Sequence, residues 1–149
     1  MLPRRKVSSA ASICLHARQS DVFKFLVDPR NTHRWMETVE YVSHRPQDPI
    51  RVGTEVLCRV GFLGTKNQAR YKIVELDEPN FFFGEATSRR FNYSGRFDLA
   101  PSSQEGFTDV TWSVEIEYPA ILPFGASYVT GAISGELKRT LQNLHNIFI

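Results

Sequence analysis

Residues 20–35 read SDVFKFLVDPRNTHRW. Val22 and Leu26 stand four apart and so share one helix face, with Phe23 and Phe25 flanking them. Ser20 is the expected N-cap. Asp21 falls in the first turn, where the helix dipole favours an acid. Asp28-Pro29 ends the helix, because the residue before proline is pushed out of the α region. Asn31 opens a second short helix that carries His33, Arg34, Trp35 and Met36. Two short helices in a chain that otherwise reads as strand predict an α+β architecture.

Outside this stretch the period changes to two. Residues 7–16 alternate weakly, with Val7, Ala11, Ile13 and Leu15 to one side, and predict a first strand. Val39–Ser43 is a short one. Residues 54–62 set Val56, Cys58, Val60 and Phe62 against Glu55, Leu57 and Arg59, and residues 62–65 read as a hairpin tip. Ala69, Tyr71 and Ile73 share a face, but Val74 and Leu76 then break the parity, which predicts a bulge near Ile73-Val74. Residues 77–80 form a turn. Phe81-Phe82-Phe83 is too uniformly apolar to assign faces, and this leaves the facing of residues 81–86 open. Phe91, Tyr93, Gly95, Phe97 and Leu99 alternate with polar residues. So do Val110, Trp112, Val114, Ile116 and Tyr118, with a hydrophilic loop over residues 101–107 between the two strands. This pattern predicts an antiparallel sheet with one wet and one covered face. The chain closes on a helix after Pro119 and Pro123. Its apolar stripe is Ala126, Val129, Ile133, Leu137, Leu141, Leu144 and Phe148, and its length is roughly 35–40 Å.

The 149 residues, 42% hydrophobic, suffice for a single domain over residues 1–149. A net charge of +2 does not suggest a nucleic-acid partner, and Arg4, Arg5 and Lys6 read as a solvated, frayed tail. Cys14 and Cys58 read as small buried hydrophobes in a reducing compartment, with a strand-bridging pair as the alternative. No apolar run is long enough to be a signal peptide or an integral membrane span, so a cytoplasmic location is the default. His16, His33, His44 and His145 are scattered, and none has metal-ligand spacing. No metal and no cofactor are expected. No nucleophile elbow or phosphate-binding glycine loop occurs either.

Several pieces then fall into a familiar order. These are Asp21-Val22-Phe23 and Asp28-Pro29 bounding the first helix, Trp35 after it, and Val52-Gly53-Thr54 entering a strand. Leu76-Asp77-Glu78-Pro79 at a turn, Thr108-Asp109-Val110-Thr111-Trp112 in the last strand and residues 137–144 in the last helix follow. In this order, from about Val7 to the end, the chain resembles the START / Bet v 1-like superfamily in its polyketide cyclase/dehydrase and lipid-transport branch. The resemblance implies a helix-grip fold: a curved antiparallel sheet of about seven strands around the C-terminal helix, with a hollow between them.

The resemblance also implies a hydrophobic or aromatic small molecule, polyketide- or lipid-like, as the occupant. Alternation nominates Val60, Phe97, Trp112, Val114 and Ile116 as ligand-binding walls, with Val129 and Ile133 from the helix and Trp35 and Met36 near the mouth. Tyr71 and Tyr93 face inward on separate strands, and a buried hydroxyl needs a partner, so they are candidates to hold or polarise a substrate carbonyl. Glu85 is a candidate base if it faces inward, because a carboxylate in an apolar hollow has a raised pKa. Three functions follow: a binder or carrier, a cyclase/aromatase-type enzyme using these side chains, or a chaperone-like interaction module. The last needs an apolar convex face, which Thr111, Ser113, Glu115 and Glu117 oppose on their strand. Gly131 and Gly135 cost about 1 kcal/mol each against alanine in mid-helix. They fall opposite the core stripe beside Tyr128, where a homodimer contact or a pliant helix would explain them.

Overall fold

The elements run β1 (Arg4–Leu15), α1 (Gln19–Val27), a 3-10 turn (Pro29–Asn31), α2 (Thr32–Trp35), β2 (Val39–Ser43), β3 (Glu55–Phe62) and β4 (Thr65–Asp77). They continue with β5 (Phe81–Thr87), β6 (Asn92–Pro101), β7 (Thr108–Pro119) and α3 (Ala126–Ile147). This is a computed structural model, which describes residues 3–43, 48–120, 123 and 125–149. His44 lies outside the described residues.

The strands form one antiparallel sheet in the order β1-β7-β6-β5-β4-β3-β2, which curls around α3. β1 pairs with β7 because the first strand is carried by the chain to the far side of the sheet, while β2 to β7 follow as hairpins. The tip of β3–β4 is a two-residue turn in which Leu63 and Gly64 both have positive φ. That geometry matches the right-handed twist of the flanking strands. The expected bulge is present, since the β4–β5 register shifts between Ile73 and Glu75.

The main core lies between α3 and the sheet. Leu137, Leu141 and Leu144 pack with Val22, Phe23 and Leu26 of α1 and with Ile73, Phe97, Val110 and Trp112 of the sheet. At helical spacing these leucines stay on one face of α3, a helix about 33 Å long. Polar ties fix the small helices. Gln19 Nε2 donates to Pro79 O at 2.9 Å and Leu99 O at 3.2 Å, and Asn143 Nδ2 donates to Trp35 O at 3.1 Å.

The structure corrects several local expectations. α1 starts two residues early, with Arg18 as N-cap, so Ser20 is already helical and caps nothing. Arg4 and Lys6 are not a frayed tail. They lie in β1 opposite the acids of β7, with Arg4 Nε 2.6 Å from Glu117 Oε1 and Lys6 Nζ 3.4 Å from Glu115 Oε1. Cys14 is exposed, because Ile13 and Leu15 take the inner face of β1; Cys58 is buried, and both are free thiols. Ala126 is exposed, so the buried stripe of α3 begins at Val129. Gly131 and Gly135 face open space, and Tyr128 nearby is 61% exposed. No helix among the described residues is long and apolar enough to cross a membrane.

Thr140, on the buried side of α3, has a hydroxyl without a hydrogen-bond partner among the described residues. A buried unpaired hydroxyl costs stability, and valine has nearly the same shape. Thr140→Val is therefore expected to stabilise the fold by about 1 kcal/mol, read as a higher midpoint in urea unfolding.

Candidate functional site

Three inward rows cross the sheet from β5 to β7. The first is Phe82, Phe97 and Trp112, each directly opposite the next. Their rings stack, Phe82 on Phe97 at 4.9 Å and Phe97 on Trp112 at 5.1 Å. Trp35 of α2 stands edge-on to Phe97 and Trp112 at 5.8 and 5.9 Å. The second row is Gly84, Gly95 and Val114, and the third is Ala86, Tyr93 and Ile116. Where the aromatic row ends and the small residues begin, the space between sheet and helix is empty.

The result is a cavity of about 190 Å³. Its walls include Trp35, Met36, Val60, Tyr71, Tyr93, Phe97, Trp112, Val114, Ile116 and Ile133, all nominated by alternation or by position. Val129 is not among them. It is fully buried in a second cluster with Val7, Phe91, Ile116 and Tyr118, at the end of the hollow where sheet and helix meet. Glu85 is corrected too. With Phe82, Gly84 and Ala86 inward, period two puts Glu85 on the outer face, and it is exposed. His33 and Arg34 are exposed outside the cavity, with the Arg34 guanidinium 5.2 Å from the centre of the Phe25 ring.

The two tyrosines lie flat over the glycines. A Cβ on Gly84 would collide with the Tyr71 hydroxyl, and one on Gly95 would collide with that of Tyr93. Glycine inside a strand marks such close approach. The Tyr93 hydroxyl accepts a hydrogen bond from Trp112 Nε1 at 3.1 Å, which locks it to the aromatic row. Tyr71 lines the cavity with no hydrogen-bond partner among the described residues. Burial pushes both phenols well above their ordinary range; the neighbouring Tyr93 adds to this at Tyr71, and the Trp112 bond opposes it at Tyr93. Both are therefore neutral at physiological pH and each keeps its O–H as a donor; Trp35 Nε1, also on the cavity wall, is a buried donor with no partner among the described residues.

Burial also pushes the Cys58 thiol up to about 11, and its sulfur sits 3.7 Å from Ala69 O. Among the described lining residues the one carboxylate is Glu136. It stands on α3 with its side chain 27% exposed and receives Arg139 Nη1 at 2.7 Å. Sequence reasoning missed Glu136, which lies next to the core position Leu137 and reads as solvated. It missed Gly84 as well, whose only signal was a glycine inside a strand.

A family model described as polyketide cyclase / dehydrase and lipid transport matches residues 6–147. No curated protein matches the chain. Among solved structures, a conserved protein from Geobacillus kaustophilus aligns with TM-score 0.76 at 14% identity, over 95% of each chain. A START superfamily protein from Mycobacterium smegmatis aligns with TM-score 0.74 at 13% identity, over 95% of this chain and 96% of that one. Ginseng major latex-like protein 151 from Panax ginseng aligns with TM-score 0.71 at 12% identity, over 97% and 98%. At such identities the likeness is one of fold.

Two outcomes follow from the packing of the site. Gly84→Ala should lose about 1–3 kcal/mol by overpacking against Tyr71. Combining it with Tyr71→Leu should recover part of that loss in a double-mutant cycle of urea midpoints. The Cys58 thiol is raised from its ordinary 9.0, so its contribution to stability is whole below pH 9 and fades as pH climbs through 11. Native protein at pH 8 should react fast with a thiol reagent at Cys14 alone. The loss of stability between pH 9 and 11 should be smaller in Cys58→Ala.

Proposed function

The chain belongs to the polyketide cyclase / dehydrase and lipid transport family, and on that premise we propose that it binds a one- or two-ring hydrophobic molecule carrying a hydrogen-bond acceptor. One observation carries the reading: an apolar cavity lined by Tyr71 and Trp35, whose hydroxyl and indole N–H have no hydrogen-bond partner among the described residues. A volume of about 190 Å³ falls below the roughly 300–1,000 Å³ of pockets for drug-sized ligands. It suits neither a long acyl chain nor a multi-ring product. Phe97, Trp112 and Trp35 offer ring faces and edges to a flat aromatic compound. Tyr71 then orients the acceptor, and Tyr93, held by Trp112, supports the position of Tyr71.

We favour binding over turnover. A cyclase needs a group that removes a proton, and efficient bases have pKa values near the working pH. The inner hydroxyls and the Cys58 thiol are all raised far above it. Glu136 stands at the rim and is already engaged by Arg139. In the binding reading Tyr71 recognises the ligand without transferring a proton.

The test compares naphthalene with 2-acetylnaphthalene, followed by quenching of tryptophan fluorescence. The ketone is expected to bind about tenfold more tightly, equivalent to about 1.4 kcal/mol and typical of one buried hydrogen bond. Tyr71→Phe should erase that preference and leave naphthalene binding alone. Ala86→Leu, which fills the cavity wall, should abolish uptake of both. Affinities untouched by Ala86→Leu would place the ligand elsewhere and overturn the reading.

A further inference from the structure

The β4–β5 ladder is incomplete. It runs from Asp77↔Phe81 only as far as Arg70↔Thr87, while β4 continues back to Thr65 along β3. Residues 66–69 therefore have a strand on one side and none on the other. The closing pair of a two-residue hairpin exchanges both backbone hydrogen bonds, and the pattern alternates from there. Counting from Phe62↔Thr65, Asn67 and Ala69 bond toward β3, while the N–H and C=O of Lys66 and Gln68 point away from it. No backbone partner for Lys66 or Gln68 exists on that side among the described residues.

That free edge is one wall of a groove of about 850 Å³, separate from the ligand cavity. The opposite wall is the β5–β6 turn, closed by Ser88 and Phe91 through Ser88 Oγ, with Arg89 and Arg90 exposed at its corner. Lys66 and Arg70 project from β4 into the same groove, and no acid lines it among the described residues. Lys66 is held by Glu40, which also sits 3.3 Å from Arg59. Arg70, Arg89 and Arg90 have no ion pair among the described residues. Exposed strand edges are usually blunted or covered, because they pair readily with another chain.

We propose that this groove docks an extended, acidic peptide segment of a partner protein, which adds a strand to β4 at Lys66 and Gln68 and pairs its carboxylates with Arg70, Arg89 and Arg90. Strand addition supplies affinity through the main chain and specificity through alternate side chains. The charge selects the partner: three unpaired guanidiniums beside one edge favour an acidic strand and repel a basic one. A simple anion would satisfy the arginines but leave the Lys66 and Gln68 backbone unpaired. A lipid surface would require a flat or convex basic face, and this one is a cleft. The free edge is four residues long, about 13 Å, so it accepts a strand of four or five residues.

The full chain is titrated with a capped octapeptide of alternating Glu and Val, by calorimetry and by amide shifts in NMR. The expected result is binding at least tenfold tighter than for the peptide with Lys in place of Glu. It should also be at least tenfold tighter than for the peptide N-methylated at alternate residues, with shifts centred on Lys66 and Gln68. Arg89→Glu/Arg90→Glu should weaken it at least tenfold while 2-acetylnaphthalene binding stays unchanged. Arg70→Glu, on a separate element, should do the same. Equal affinity for the N-methylated peptide would refute strand addition. So would tighter binding to tripolyphosphate or to phosphatidylglycerol vesicles than to the acidic peptide, or insensitivity of peptide binding to all three charge reversals.

Discussion

The hollow depends on two glycines standing in register. Phe82, Phe97 and Trp112 fill the space between sheet and α3 with stacked rings, and one row further along, Gly84 and Gly95 present no side chain at all. Packed interiors leave few voids larger than a water molecule, so a lasting cavity needs walls that cannot collapse into it. Here the tyrosines occupy the ground the glycines vacate. Tyr93, pinned by Trp112, lies over Gly95 and so cannot swing in to fill the rest.

The same arrangement sets the chemistry of the pocket. Two hydroxyls and a thiol are packed among rings and aliphatic side chains, and desolvation disfavours the charged form of each. Such groups donate hydrogen bonds but do not take up protons near neutral pH. Charge is left for the rim, where Glu136 and Arg139 neutralise one another within a single turn of α3. The interior is therefore apolar and uncharged with hydrogen-bond donors set in its wall, and the rim is polar.

Much of the fold was legible because antiparallel strands with one covered face write their geometry as period two. Alternation along β6 and β7 correctly oriented Tyr93, Phe97, Trp112, Val114 and Ile116, and the three-and-four spacing oriented Leu137 to Leu144 on α3. The signal failed where the period was absent or crossed. Three consecutive phenylalanines hid the facing of β5, and with it the exposure of Glu85. Val129 fits the helical stripe as well as Ile133 does, yet only Ile133 reaches the cavity, because the stripe does not say where sheet and helix converge. Glu136 was invisible for a related reason. A carboxylate one step from the buried stripe borders either water or a cavity according to the width of the gap, and that width is a tertiary quantity. Cys14 shows the converse, a hydrophobe by type that simple parity sends to the outer face of β1.

The sheet has a second feature, away from the cavity. β5 ends at Thr87 while β4 runs back to Thr65, so the ladder between them stops before β4 does. In this chain the parting falls between β4 and β5, beyond Arg70↔Thr87, past the third inward row. The bulge at Ile73–Glu75 lies midway along the same ladder and turns β4 more sharply. β4 thus serves both sides of the wall. Its inward residues Tyr71 and Ile73 build the pocket and its rows. Beyond them the strand runs free, with Lys66 and Gln68 turned toward the gap and arginines on either side. The strand that lines the cavity inside thus leaves a length of backbone unpaired outside, and the cations around it mark that edge for an acidic strand.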